Sequence, residues 1–255
     1  MEFEIWVIAI LFVVFFISGF VDSIAGGGGL INIPAFLLTG IDPEFALGTT
    51  KMSATIGKIA SLINYAKNSL IDWRVSFVGV PAAIIGGALG TRAILFFDSV
   101  HIGRIIVFLL PLGVLAILLP RKDFGTKKEL SALKLYLLTP AICLLLGFYD
   151  GFFGPGVGSF FIIALNLFVG LTLVQAAATT KVFNFTTAFS SFVVFAIAGK
   201  VLFLVGIPLA IASIIGNTLG SSLAIKIGSS FVKKILLFSL SLLFVTLVWK
   251  FFING

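Results

Sequence analysis

What most constrains this chain is a succession of apolar runs, beginning with Ile5 to Phe20, that follow one another with only short polar loops between them. A hydrocarbon core of about 30 Å is crossed by roughly 20 apolar residues in a helix. Only 11% of the 255 residues are charged and 60% are hydrophobic, whereas a soluble domain carries about 25% charged residues. Too little polar surface exists to cover a globule in water, so the bilayer is the solvent. The runs are continuous and lack the dyad alternation of a barrel strand, which leaves the helix as the way to satisfy every backbone group in lipid. The chain is therefore expected to be all-α and polytopic, a multi-pass protein of a cell membrane. Its opening, Met1-Glu2-Phe3-Glu4, has neither the basic leader nor the cleavage pattern of a signal peptide, so the first run is read as a retained span.

Lysine and arginine outnumber the acids 17 to 10, for a formal charge of +7. In a soluble protein that balance would suggest nucleic acid. Here the cations gather in loops, where they orient the spans and meet anionic head groups. The expected partners are the lipid bilayer and a small solute, with no nucleic acid. Cys143 is the single cysteine and His101 the single histidine. Neither a disulfide framework, a thiolate metal site nor a catalytic cluster of titratable groups is expected. Without a Walker-type motif, ATP drive within this chain is not expected either. The sequence thus predicts no enzyme activity, no metal and no cofactor.

The chain carries an internal repeat. Gly19-Phe20-Val21-Asp22, followed by Gly26 to Gly29, recurs as Gly147-Phe148-Tyr149-Asp150, followed by Gly154-Pro155-Gly156-Val157-Gly158. Thr49-Thr50-Lys51 returns as Thr179-Thr180-Lys181, and the stretch Ile84 to Gly90 returns as Ile214 to Gly220. Matches in the same order at a nearly constant offset imply two homologous repeats, 1–119 and 132–255, joined by a basic linker over 120–131. Each repeat has a first span (near 5–21 and 132–148), a Gly-rich broken segment (24–39 and 152–170), and three further spans. Those lie near 44–66, 75–97 and 102–119, then near 172–198, 201–226 and 232–252.

Whether the broken segment crosses or dips in and returns decides between five and four crossings per repeat. If it crosses, Lys67, Arg74, Arg121, Lys122, Lys127, Lys128, Lys134, Lys226, Lys233 and Lys234 share one side against Arg92, Arg104, Lys200 and Lys250. Re-entry weakens that bias. The charges favour five crossings, an inverted pseudo-two-fold repeat and both termini outside; four plus four is the alternative.

Four consecutive glycines, Gly26, Gly27, Gly28 and Gly29, with Pro34 following, cannot hold a regular helix cheaply. Broken backbone at membrane depth persists only where protein or water satisfies it. The free N–H groups at a helix start make an anion site there. Gly154, Gly156 and Gly158 repeat the device, and paired interruptions are the sequence mark of a transporter site. Close helix packing through small residues is the competing explanation. Lys51 and Lys181, each preceded by two threonines, stand inside predicted spans, where a lysine costs about 2.5 to 3.5 kcal/mol. They could supply charge to an anion, with Thr49, Thr50, Thr179, Thr180 and Asn184 donating hydrogen bonds. Snorkelling from helix ends is the alternative. Asp22 and Asp150 could pair with the lysines, cap the broken segments, or take up protons, capping being the first choice.

The stretch Gly19 to Pro34, reading GFVDSIAGGGGLINIP, with Ala46 to Lys51 and Asp72-Trp73 downstream, resembles the TauE/SafE family of membrane transporters. The second half, from Gly147 through Thr179-Thr180-Lys181, is similar to that family's second repeat, so the resemblance covers essentially the whole chain. It implies a prokaryotic plasma membrane and movement of sulfite, an organosulfonate or a related sulfur oxyanion, coupled to an ion gradient (H+ or Na+). Ala178 stands where the first repeat has Gly48, and Val157 where it has Gly29, so the two half-sites are not equal. The expected function is secondary active transport of a small anion by alternating access around a site between the repeats. A passive anion channel could use the same amides without coupling and is the alternative. A membrane enzyme or sensor ranks last.

Overall fold

The structure is a computed structural model and describes residues 4–118 and 131–227. The expected span near 232–252, and all but the last residue of the basic linker, lie outside the described residues. Every regular element within them is a helix: α1 (Ile5–Ala25), α2 (Gly29–Leu37), α3 (Pro43–Lys67), α4 (Trp73–Leu95), α5 (Ser99–Leu118), α6 (Thr139–Phe152), α7 (Val157–Ala164), α8 (Leu173–Ile197) and α9 (Phe203–Ile227). A π-helical turn, Lys134–Leu138, leads into α6, and another, Leu165–Val169, continues α7.

Among the described residues, five helical stretches are long and apolar enough to cross a membrane: Ile5–Ile24, Trp73–Leu95, Lys134–Phe152, Leu173–Ile197 and Phe203–Ile227. Burial follows the bilayer as solvent. On α1 the exposed large apolar side chains are Ile5, Trp6, Ile10, Val13 and Ile17, while Ser18 and Ser23 are buried. The 25-residue α3 has the length of a span but buries Glu44, Lys51 and Lys58 in its interior face, so its polarity is turned away from lipid.

α1 and α6 run past the ends suggested by their apolar runs, to Ala25 and Phe152. A helix stops where the backbone can leave it. Gly26, at φ 76°, takes the left-handed conformation and returns its N–H to Asp22 O, which closes α1. α2 then doubles back. Gly28 lies against Ser18 and Asp22, and further along Phe36 meets Phe15 edge-on with ring centroids 5.9 Å apart. α7 retraces α6 in the same way, with Tyr149 Oη donating to Pro155 O at 2.8 Å and Phe160 edge-on to Tyr149 at 5.5 Å. At nine residues and about 1.5 Å per residue, α2 is too short to cross on its own.

Small residues set the packing of the long helices, because they let backbones approach closely. Phe16 meets Gly216 and Phe20 meets Gly220, so α1 and α9 run side by side in one direction. Thr49 meets Gly206 and Gly57 meets Ser213, so α3 shares that direction. In a second group, Cys143 meets Gly79 and Gly151 meets Gly87, aligning α6 with α4, and Phe183 and Ser190 meet the same α4 glycines from α8. The groups oppose one another where Gly48 lies beside Phe195 and Lys58 reaches Asn184. Each group therefore mixes helices from both halves of the chain. The glycines of Ile84 to Gly90 and of Ile214 to Gly220 serve these contacts.

Candidate functional site

The two glycine-interrupted segments meet. A Cβ placed on Gly158 would come within 2.5 Å of Gly26 Cα, so neither position accepts a side chain without moving backbone. Beside this contact lies a cavity of about 40 Å³ whose lining includes Asp22, Gly28, Gly29, Thr50, Lys51 and Lys58. Gly26, Asp150 and Gly154 also reach it, together with Ser18, Asn32, Ser213 and Asn217.

The structure gathers some of the anticipated residues there and assigns others elsewhere. Lys51 is buried and donates to Asp150 twice, at 2.8 Å to the carboxylate and 2.5 Å to the backbone carbonyl. Thr187 donates to the other carboxylate oxygen. Lys181 is likewise buried and donates to Asp22 O at 2.8 Å. Each lysine therefore tethers the carbonyl-rich end of the opposite half's first helix, where a cation is favoured by the helix dipole. Neither snorkels: both stand in the interior of 25-residue helices.

Asp22 caps. Its Oδ1 accepts the Gly28 N–H at 3.2 Å, and Ser18 Oγ donates to Gly28 O at 2.9 Å, so the glycine turn is held on both polar groups. In the first turn of α2, Leu30 donates to Gly27 O while Ile31 and Asn32 donate to Gly28 O. The remaining N–H of that turn belongs to Gly29, a cavity residue.

Thr49 and Thr179 do not reach the cavity. Thr49 Oγ1 accepts Leu202 N–H and Thr179 Oγ1 accepts Asp72 N–H, both at 3.0 Å, which fixes the loops leading into α9 and α4. Thr50 does line it, with a buried hydroxyl that has no partner among the described residues. Thr180, Asn184, Lys181, Gly27, Gly156 and Gly158 do not line it. The cavity is thus lopsided, drawn mainly from α1, α2, α3 and α9.

Reading the repeat alone misses Lys58, Asn32 and Asn217. Lys58 lies two turns beyond Lys51 on the same face of α3 and is 8% exposed, but Ala188 occupies its matching place in the second half. Asn217 replaces Gly87 in the duplicated glycine motif, and its amide could have been found as a polar group inside an apolar run. Its Nδ2 donates to Ser213 O at 2.9 Å, which fixes Oδ1 as a buried acceptor without a partner among the described residues.

In the lining two lysines, Lys51 and Lys58, face two carboxylates, Asp22 and Asp150, with the Lys51–Asp150 pair at 2.8 Å and the Lys58–Asp22 pair looser at 3.7 Å.

A family model described as Sulfite exporter TauE/SafE matches residues 11–247. A probable membrane transporter protein of Haemophilus influenzae is 38% identical over 235 residues, covering 91% of both chains. The probable membrane transporter protein ORF9 of a Sinorhizobium species is 34% identical over 236 residues, 90% of this chain and 87% of that one. Probable membrane transporter protein YfcA of Escherichia coli K12 is 29% identical over 227 residues, 89% of this chain and 84% of the relative. No solved structure matches.

Proposed function

Because the chain belongs to the sulfite exporter TauE/SafE family of membrane transporters, we propose that it is a secondary active carrier of a small sulfur oxyanion, sulfite first, working by alternating access. The observation that carries this reading is a cavity among the helices where the glycine turn that opens α2 meets two lysines, Lys51 and Lys58, the second held only loosely by its carboxylate at 3.7 Å. The unpaired acceptor at Asn217 suits an oxyanion that still carries a proton, so hydrogen sulfite is the favoured form and sulfate the disfavoured one. At about 40 Å³ the cavity has room for roughly three water-sized bodies. A four-atom oxyanion fits that space, and an organosulfonate needs the cavity to open further.

In this reading Gly29 N–H and Thr50 Oγ1 donate to the anion. Gly26, Gly28 and Gly154 keep the walls thin enough for it, and Lys51 and Lys181 contribute their field while tethering helix ends. The doubling back of α2 and α7 supports five crossings per repeat, with the second repeat inverted on the first. The moving bodies are then the two mixed helix groups, which close alternately on either side of the cavity, driven by a proton or sodium gradient across a prokaryotic plasma membrane.

The test is flux. Purified protein in liposomes is expected to accumulate labelled sulfite against its concentration gradient when a proton or sodium gradient is imposed. Steady ionic current with no accumulation under either gradient would replace the carrier with a channel.

A further inference from the structure

The three buried lysines are not equally engaged, and the inequality divides their work. An ammonium group carries three donors and loses its hydration on burial, so each donor wants an acceptor near 2.8 Å. Lys51 has two such contacts, at 2.5 and 2.8 Å. Lys181 has Asp22 O at 2.8 Å. For Lys58 the recorded partners are the Asp22 carboxylate at 3.7 Å and Asn184 O at 3.5 Å, at or beyond the range of a hydrogen bond. Yet Lys58 lines the cavity and is 8% exposed.

We infer that Lys58 is the lysine that grips the cargo anion, and that Asp22 is its resident counter-ion, which the arriving anion displaces. This rests on the anion-carrier reading above and names the contact that reading leaves open. Asp22 is built for the exchange. Its Oδ1 stays with Gly28 N–H whether or not Oδ2 faces Lys58, and Lys181 already stands on the same residue's carbonyl. Lys58 can therefore turn from Asp22 to an oxyanion without orphaning the carboxylate. Thr50 Oγ1, unpaired and buried in the same lining, adds a neutral donor. Because Ala188 stands at the matching place in the second half, the cation is supplied once, which fixes one anion per carrier.

Full-length protein in detergent is titrated with sodium sulfite, reading affinity by calorimetry and the melting temperature of the unliganded protein in parallel. Lys58→Met is expected to bind at least about tenfold more weakly, and Lys58→Arg, which keeps the charge, to stay within several-fold of the parent. Asp22→Asn keeps an acceptor for Gly28 N–H but removes the competing charge. It is expected to bind sulfite several-fold more tightly and to export it more slowly from liposomes. A residue with only a structural role would not raise affinity when its neighbour is neutralised. If Lys58→Met unfolds, the Asp22→Asn result decides: tightening supports the assignment and unchanged or weaker binding overturns it. Sulfite binding by a folded Lys58→Met at the parent's affinity also overturns it, leaving the carrier reading intact. A parent protein that binds no sulfite overturns the anion reading itself and this assignment with it.

Discussion

The Lys51–Asp150 pair ties α3 of the first half to α6 of the second, and its removal shows how much of the fold hangs on charge. Lys51→Met leaves the Asp150 carboxylate, 2% exposed, with Thr187 as its remaining recorded side-chain donor. The carbonyl of Asp150, which Lys51 also holds at 2.5 Å, is orphaned at the end of its helix. Breaking a buried pair from one side costs about 3–5 kcal/mol, most of it the uncompensated charge that remains. Asp150→Leu strands the lysine by the same logic and falls in the same range. The double variant Lys51→Met with Asp150→Leu removes both charges. Thr187 keeps an acceptor in Phe183 O at 3.0 Å, so the outstanding loss is the one carbonyl bond, about 1–2 kcal/mol. The double variant should therefore be more stable than either single one, with a coupling of several kcal/mol. Unfolding titrations of the four proteins in mixed micelles measure it. Singles whose costs simply add would refute the reasoning, because the pair would then not be acting as a buried pair.

Gly26→Ala and Gly40→Ala separate strain from contact: both glycines have positive φ, 76° and 80°, but Gly26 faces the Gly158 backbone while Gly40 has nothing within 4 Å. Gly40→Ala is expected to cost about 1–2 kcal/mol and Gly26→Ala substantially more, read as melting temperature and yield of monodisperse protein; equal losses would mean that the two broken segments do not touch. Thr49→Val and Thr179→Val each leave a loop N–H without its acceptor and should cost about 1–2 kcal/mol of stability with sulfite affinity unchanged, so a selective loss of affinity would place them at the cargo. Asn217→Leu removes the unpaired acceptor and is expected to weaken sulfite binding about tenfold while narrowing the preference over sulfate; an unchanged sulfite-to-sulfate ratio would remove Asn217 from recognition.

The helical, membrane-embedded character of this protein was decided by its sequence, because 60% hydrophobic residues in long runs leave the backbone no other way to satisfy itself in lipid. The duplicated glycine segments and the paired Asp22/Asp150 and Lys51/Lys181 were legible for a similar reason: a break or a charge inside a span is costly and so stands out. Their partners were not legible. That Lys51 crosses to Asp150 and Lys181 to Asp22, that Thr49 and Thr179 hold loops, and that Lys58 and Asn217 face the cavity all depend on how two groups of helices from different halves of the chain interlock. Helical periodicity fixes which residues share a face. Which face meets which is set by close packing between elements more than a hundred residues apart in some cases, and no local pattern in the chain carries that information.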